Sequence, residues 1–123
     1  MNPDIDIEVS TQFLANESDT ENGHYLFSYT ITITNHSSFG IKLLSRKWSI
    51  EDANNRVQQV EGEGVVGQQP HIKSGESFRY TSGVILETPV GIMEGHYEFM
   101  KDDGDIFPAD IPRFSLADPM SLH

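Results

Sequence analysis

The sequence predicts an all-β sandwich of about seven short strands, and three observations carry that prediction. Several segments alternate apolar and polar residues, the two-residue period of a half-buried strand. Turn-forming residues interrupt those segments about every 8–12 positions. Nowhere do apolar residues recur at helical spacing over three turns.

The first strand starts at Ile5, where Ile5, Ile7, Val9 and Phe13 fall on one face. The stretch from Ala15 to Gly23 is polar and reads as a loop. Tyr25, Phe27, Tyr29, Ile31 and Ile33 then alternate with Leu26, Ser28, Thr30, Thr32 and Thr34, and this β-branched and aromatic run is a central strand. Asn35–Gly40 turns the chain into a strand over 41–50, with Leu43, Trp48 and Ile50. Asp52-Ala-Asn-Asn55 is a hairpin turn, because Asn tolerates positive φ. The chain returns over 56–60 and enters a glycine-rich loop at Gly62–Gly67, ended by Pro70. Further strands follow over 77–86, 95–100 and 111–116, separated by turns at Thr88–Gly91 and Asp102–Asp105. Leu86, Pro89, Gly91 and Gly95-His-Tyr97 have the pattern of a tyrosine corner. With no Cys…Trp…Cys spacing, the sandwich is immunoglobulin-like in its fibronectin type III-like form, a single domain over 1–123.

Composition narrows the function. Cysteine is absent, which excludes disulfides, thiolate metal sites and Cys–His catalysis. Eight basic residues against nineteen acidic ones give a net charge of −11, which repels nucleic-acid backbones. The opening Met1–Glu8 has neither a basic region nor an apolar run, and no apolar stretch approaches a membrane span. A cytoplasmic protein with no membrane span and no nucleic-acid partner is expected. The Asn16-Glu-Ser18 and Asn35-His-Ser37 sequons then read as turns.

Chemistry-bearing motifs are sparse. Gly62-x-Gly64-x-x-Gly67 has the spacing that lets backbone amides converge on an anion. A dinucleotide site needs that motif between a strand and a helix, and Pro70 with no helical pattern after it rules out that frame. A pyrophosphate nest in a loop is the alternative, opposed by the charges of Glu61 and Glu63. Asp102-Asp-Gly-Asp105 lacks the frame of a calcium loop and reads as a turn. His24, His36, His71, His96 and His123 show no metal-ligand spacing, and Ser82 lacks a nucleophile-elbow motif. No catalytic residue, metal ligand or cofactor is expected.

The chain resembles the ApaG family over nearly its whole length. The resemblance is carried by Phe27–Asn35, Leu43–Arg46, Trp48, Asp52–Asn54, Gly62–Gly67, Gln69-Pro70, Gly75-Glu76, Tyr80–Gly83, Thr88-Pro89, Gly95, Tyr97 and Ile111–Leu116. Lys47 stands where the family often has His, which removes a metal ligand at that position, and Ser74 stands where it often has Pro. The resemblance implies a fibronectin III-like fold and an association with cobalt and magnesium efflux. Similar domains in eukaryotic F-box and polymerase-delta-interacting proteins look like protein-interaction modules. The expectation is therefore a non-enzymatic interaction domain with an unidentified protein partner. The alternative is a weak nucleotide or pyrophosphate binder using Gly62, Gly64 and Gly67.

Overall fold

The structure is a computed structural model that describes residues 4–121. Met1–Pro3 and His123, which entered the sequence reading, lie outside the described residues. Eight strands form two antiparallel sheets. The first sheet runs β1 (Ile5–Phe13), β2 (Tyr25–Asn35), β6 (Ser77–Leu86) in the order β1-β2-β6. The second runs β4 (Val57–Glu63), β3 (Ile41–Asp52), β7 (Val90–Lys101), β8 (Ile106–Ala117), with the short β5 (His71–Ile72) also paired to β3. This is the expected immunoglobulin-like sandwich, with one strand more than expected.

Alternation builds the core. Phe27, Tyr29, Ile31 and Ile33 of β2 are buried, and the intervening residues are not. Leu43, Trp48 and Ile50 of β3, and Tyr97 and Phe99 of β7, meet them from the other sheet. Trp48 is 2% exposed and contacts Tyr29 and Phe114 edge-on, with centroids 5.4 and 5.8 Å away. The sheets close against each other where β1 approaches β8. On the opposite side, edges β4 and β6 leave a cleft.

Several boundaries differ from expectation. β7 begins at Val90 rather than Gly95, because Gly91 and Gly95 break the side-chain pattern without breaking the ladder. β8 runs from Ile106 through Pro108 and Pro112. It is an edge strand, where proline loses no ladder bond, and its register shifts by one residue opposite Met93–Gly95, around Pro112 and Arg113. Tyr97 makes no tyrosine corner: its hydroxyl meets the Tyr80 hydroxyl on the facing sheet.

The turns follow their chemistry. Asn55 has φ 62° and closes the β3–β4 hairpin, with Asp52 Oδ1 accepting from the Asn54 and Arg56 amides. Gly104 has φ 97° in the Asp102–Asp105 turn. Asn35 is fully buried at the end of β2. Its amide donates to the Phe39 and Ile72 carbonyls, and its Oδ1 accepts from Ser37, so this sequon asparagine is a structural knot.

Candidate functional site

The glycine segment is part strand, part turn. Gly62 lies within β4, opposite Arg46 of β3, so the strand continues two residues beyond the point where a loop was expected. Arg46 extends across β4 there. A Cβ on Gly62 would lie 2.8 Å from Arg46 Nη1, so a side chain there would push the guanidinium aside. Arg46 Nη1 donates to the Glu63 and Gly64 carbonyls at 3.1 and 2.9 Å.

Gly64 has φ 59°, and its amide donates to the Leu44 carbonyl at 2.8 Å. A Cβ there would fall 2.0 Å from the Gln68 carbonyl oxygen. Val65 and Gln68 exchange backbone hydrogen bonds at 2.8 and 2.9 Å. Between them Val66 (φ 44°) and Gly67 (φ 80°) both take positive φ, the signature of a type I′ turn. The three candidate glycines thus sit in one segment with different surroundings. Gly62 faces Arg46, Gly64 abuts a carbonyl, and Gly67 stands at an exposed turn with open space where a Cβ would be.

A second feature, unread in the sequence, lies beside this segment. The cleft between β4 and β6 has a volume of about 570 Å³. Phe27, Tyr29, Val60 and Val84 form its apolar walls, and Arg46 and Trp48 line the same space. β3 alternates, so Arg46, Trp48 and Ile50 share the inward face; the alternation was the available signal that Arg46 points inside. Among the described residues the ion pairs are Arg56–Glu87 and His71–Asp102, so Arg46 has no carboxylate partner. Trp48 Nε1 is buried with no acceptor among the described residues.

A family model described as the ApaG domain matches residues 15–101, from the end of β1 through β7. The chain belongs to the ApaG family. Protein ApaG of Xanthomonas campestris pv. campestris strain B100 is 50% identical over 119 residues, covering 97% of this chain and 94% of the relative. Protein ApaG of Xanthomonas oryzae pv. oryzae strain PXO99A is 49% identical with the same coverage. A solved structure from Bordetella pertussis, titled as an ApaA protein, superposes with a TM-score of 0.92 at 43% identity, covering 94% of each chain. A structural-genomics X-ray structure reaches the same TM-score at 45% identity, covering 98% of this chain and 91% of the other.

Deeper in this ApaG domain, Tyr80 and Tyr97 share their hydroxyls behind Arg46. Burial pushes both phenols well above the usual tyrosine range, and the nearby Arg46 charge only partly offsets it. Both therefore stay protonated and neutral around pH 7. At the far end of the second sheet, His71 Nε2 lies 2.7 Å from Asp102 Oδ1, which ties β5 to the acidic turn. Among the described residues no three His, Asp or Glu side chains converge as a metal site would require. No helix among them is long and apolar enough to cross a membrane.

Proposed function

We propose that this ApaG domain is a non-enzymatic protein-interaction module that takes an extended segment of a partner protein along β4. We connect it to cobalt and magnesium homeostasis through that partner, not through an ion of its own. The observation that carries the reading is the character of the β4 edge. From Val57 to Glu63 it contains no proline, lysine or arginine, the residues that commonly blunt an exposed edge. β8, the other edge of that sheet, carries two prolines and a register shift.

The ladder phase supports the same reading. Asp52 N donates to the Arg56 carbonyl and Gly64 N to the Leu44 carbonyl, so Gln58, Val60 and Gly62 turn their peptide groups to β3. Val57, Gln59, Glu61 and Glu63 turn theirs outward, available to an added strand. Glu61 and Glu63 are exposed, and the chain carries a net charge of −11, which favours a partner segment containing lysine or arginine. Against an enzyme, the histidine–carboxylate pair His71–Asp102 lies on the surface, and among the described residues no serine hydroxyl bonds to it.

Gln59→Pro removes an outward amide and leaves the β3 ladder intact. It is expected to abolish capture of the partner from a cell extract, whereas Gln59→Ala preserves it. Capture that is equal in both variants, with unchanged circular dichroism, would reject β4 as the docking edge.

The second reading, a nucleotide or pyrophosphate ligand at Gly62, Gly64 and Gly67, draws its support from the Val66 and Gly67 amides on the exposed turn. The amides of Gly64 and Val65 are already committed within the chain, and Glu61 and Glu63 add negative charge. Calorimetry with cobalt, magnesium and ATP is expected to give no one-to-one site of micromolar affinity. Micromolar ATP binding lost in Gly67→Ala, where the added methyl meets no neighbour, would favour the second reading.

A further inference from the structure

A strand that pairs with β4 has two faces, and the fold offers a different surface to each. The cleft between β4 and β6 takes Gln58 and Val60 from β4, with Phe27, Tyr29, Val84 and Ile85 from the first sheet. The alternate residues Val57, Gln59, Glu61 and Glu63 do not line it. They share the outer face of the second sheet with Ser45, Lys47 and Ser49 of β3. These same four residues turn their peptide groups away from β3. A strand bonded to those groups continues the pleat of β4. Its residues opposite Gln59, Glu61 and Glu63 stand on the outer face, and its residues opposite Gln58 and Val60 face the cleft.

The two faces ask for opposite chemistry. Glu61 and Glu63 are exposed, and neither has an ion pair among the described residues. A basic side chain opposite each carboxylate makes a cross-strand pair of opposite charge. On the inner side Val60 and Val84 are half-buried and Ile85 is 58% exposed, so apolar surface at the cleft is still open to water. Apolar side chains opposite Gln58 and Val60 cover it. Those positions form the closer, non-hydrogen-bonded pairs, where side chains pack best. Opposite Gly62 the Arg46 guanidinium already fills the inner side, which suits a small residue. The charge lies at one end of the edge, because Val57, Gln58 and Gln59 are neutral. Every pairing in both sheets is antiparallel, and an antiparallel addition reads the charged end first.

We propose that β4 selects a segment of another protein in which basic and apolar residues alternate in phase with its own pleat. Two lysine or arginine residues, two positions apart, lie opposite Glu63 and Glu61. Two apolar residues follow, two positions apart, opposite Val60 and Gln58, and their side chains close over the cleft toward Val84. The inference rests on β4 being the docking edge and adds the sequence that the edge accepts. A second copy of this chain does not supply that segment, because no two of its eight lysines and arginines stand two residues apart.

A blocked synthetic peptide, acetyl-Lys-Ala-Lys-Leu-Thr-Val-Thr-amide, tests the pattern on the full chain by NMR. Its titration is expected to saturate at sub-millimolar concentration, shifting the amides of Val57, Gln59, Glu61 and Glu63 and the methyls of Val60 and Val84. Acetyl-Leu-Lys-Ala-Thr-Lys-Thr-Val-amide has the same composition but places lysine on both faces, and should bind roughly tenfold more weakly or worse. Both peptides are compared on the unaltered chain, so the contrast does not depend on any variant folding. Val84→Lys, which puts a charge into the cleft and leaves the β4 peptide groups alone, should weaken the first peptide by a similar factor. Glu61→Lys with Glu63→Lys should do the same and should confer binding of the peptide that carries glutamate in place of both lysines. Equal binding of the two lysine peptides, or β4 amide shifts with Val84 unmoved, overturns the pattern and leaves β4 as a docking edge. Shifts confined to β6 amides, or no saturation at millimolar peptide, overturn it as well. The edge itself is judged separately, by capture with Gln59→Pro against Gln59→Ala.

Discussion

Replacing Trp48 with alanine is expected to destabilise the domain by about 3–5 kcal/mol. The indole is buried at the centre of β3 and meets Tyr29 from one sheet and Phe114 from the other. Truncation removes its contacts with both sheets at once. The cavity cannot collapse easily, because rings on separate sheets would have to move toward each other. Urea unfolding should show a lower midpoint with an unchanged slope. Trp48→Phe should cost far less. It keeps most of the ring packing, and it removes an N–H that is buried without an acceptor. An alanine variant within about 1 kcal/mol of the parent would show that Trp48 does not hold the core.

Gly95→Ala is expected to be of comparable severity, roughly 3 kcal/mol or more. Gly95 lies in β7 opposite Trp48, and an added Cβ would fall 2.1 Å from the Lys47 carbonyl oxygen. That neighbour is backbone of the adjacent strand, so no side-chain rotation can relieve the clash. β3 and β7 would have to part in the middle of their longest pairing. Gly67→Ala is the contrasting control. Its methyl meets no neighbour, and its cost is the intrinsic penalty of positive φ, about 1–2 kcal/mol. Thermal unfolding of the two variants should separate them clearly. Equal melting temperatures would mean that Gly95 is chosen for backbone freedom, not for the close approach of the strands.

The fold was legible where side-chain alternation was continuous. β2 is apolar at every inward position from Phe27 to Ile33, as expected. The pattern failed where the backbone and not the side chains makes the element. β5 is two residues long, and no period exists over that length. The β7 segment before Gly95 is interrupted by glycines that are required by strand proximity, and the prolines of β8 disguise an edge strand. Asn55 and the Asp102–Asp105 turn were readable because their residue types report backbone conformation directly.

The site was less accessible for a related reason. The glycine spacing suggested an anion cradle, but spacing does not say what fills the space a glycine leaves. At Gly62 the filler is Arg46, sixteen positions earlier in the chain and opposite it only through β3–β4 pairing. Arg46 itself was visible in phase with Trp48 and Ile50. A charged residue on an inward face is the sequence signal that points to the cleft.

The joined hydroxyls of Tyr80 and Tyr97 have a mechanical meaning. Two apolar sheet faces resemble greased plates: burial holds them together but says little about how far one slides along the other. A directional bond driven through the middle acts as a dowel and fixes that alignment. With a spine where β1 meets β8 and a dowel near its centre, the sandwich behaves as a bound book. Its free margin, β4 against β6, lies on the side away from that spine, while the pages behind it stay in register.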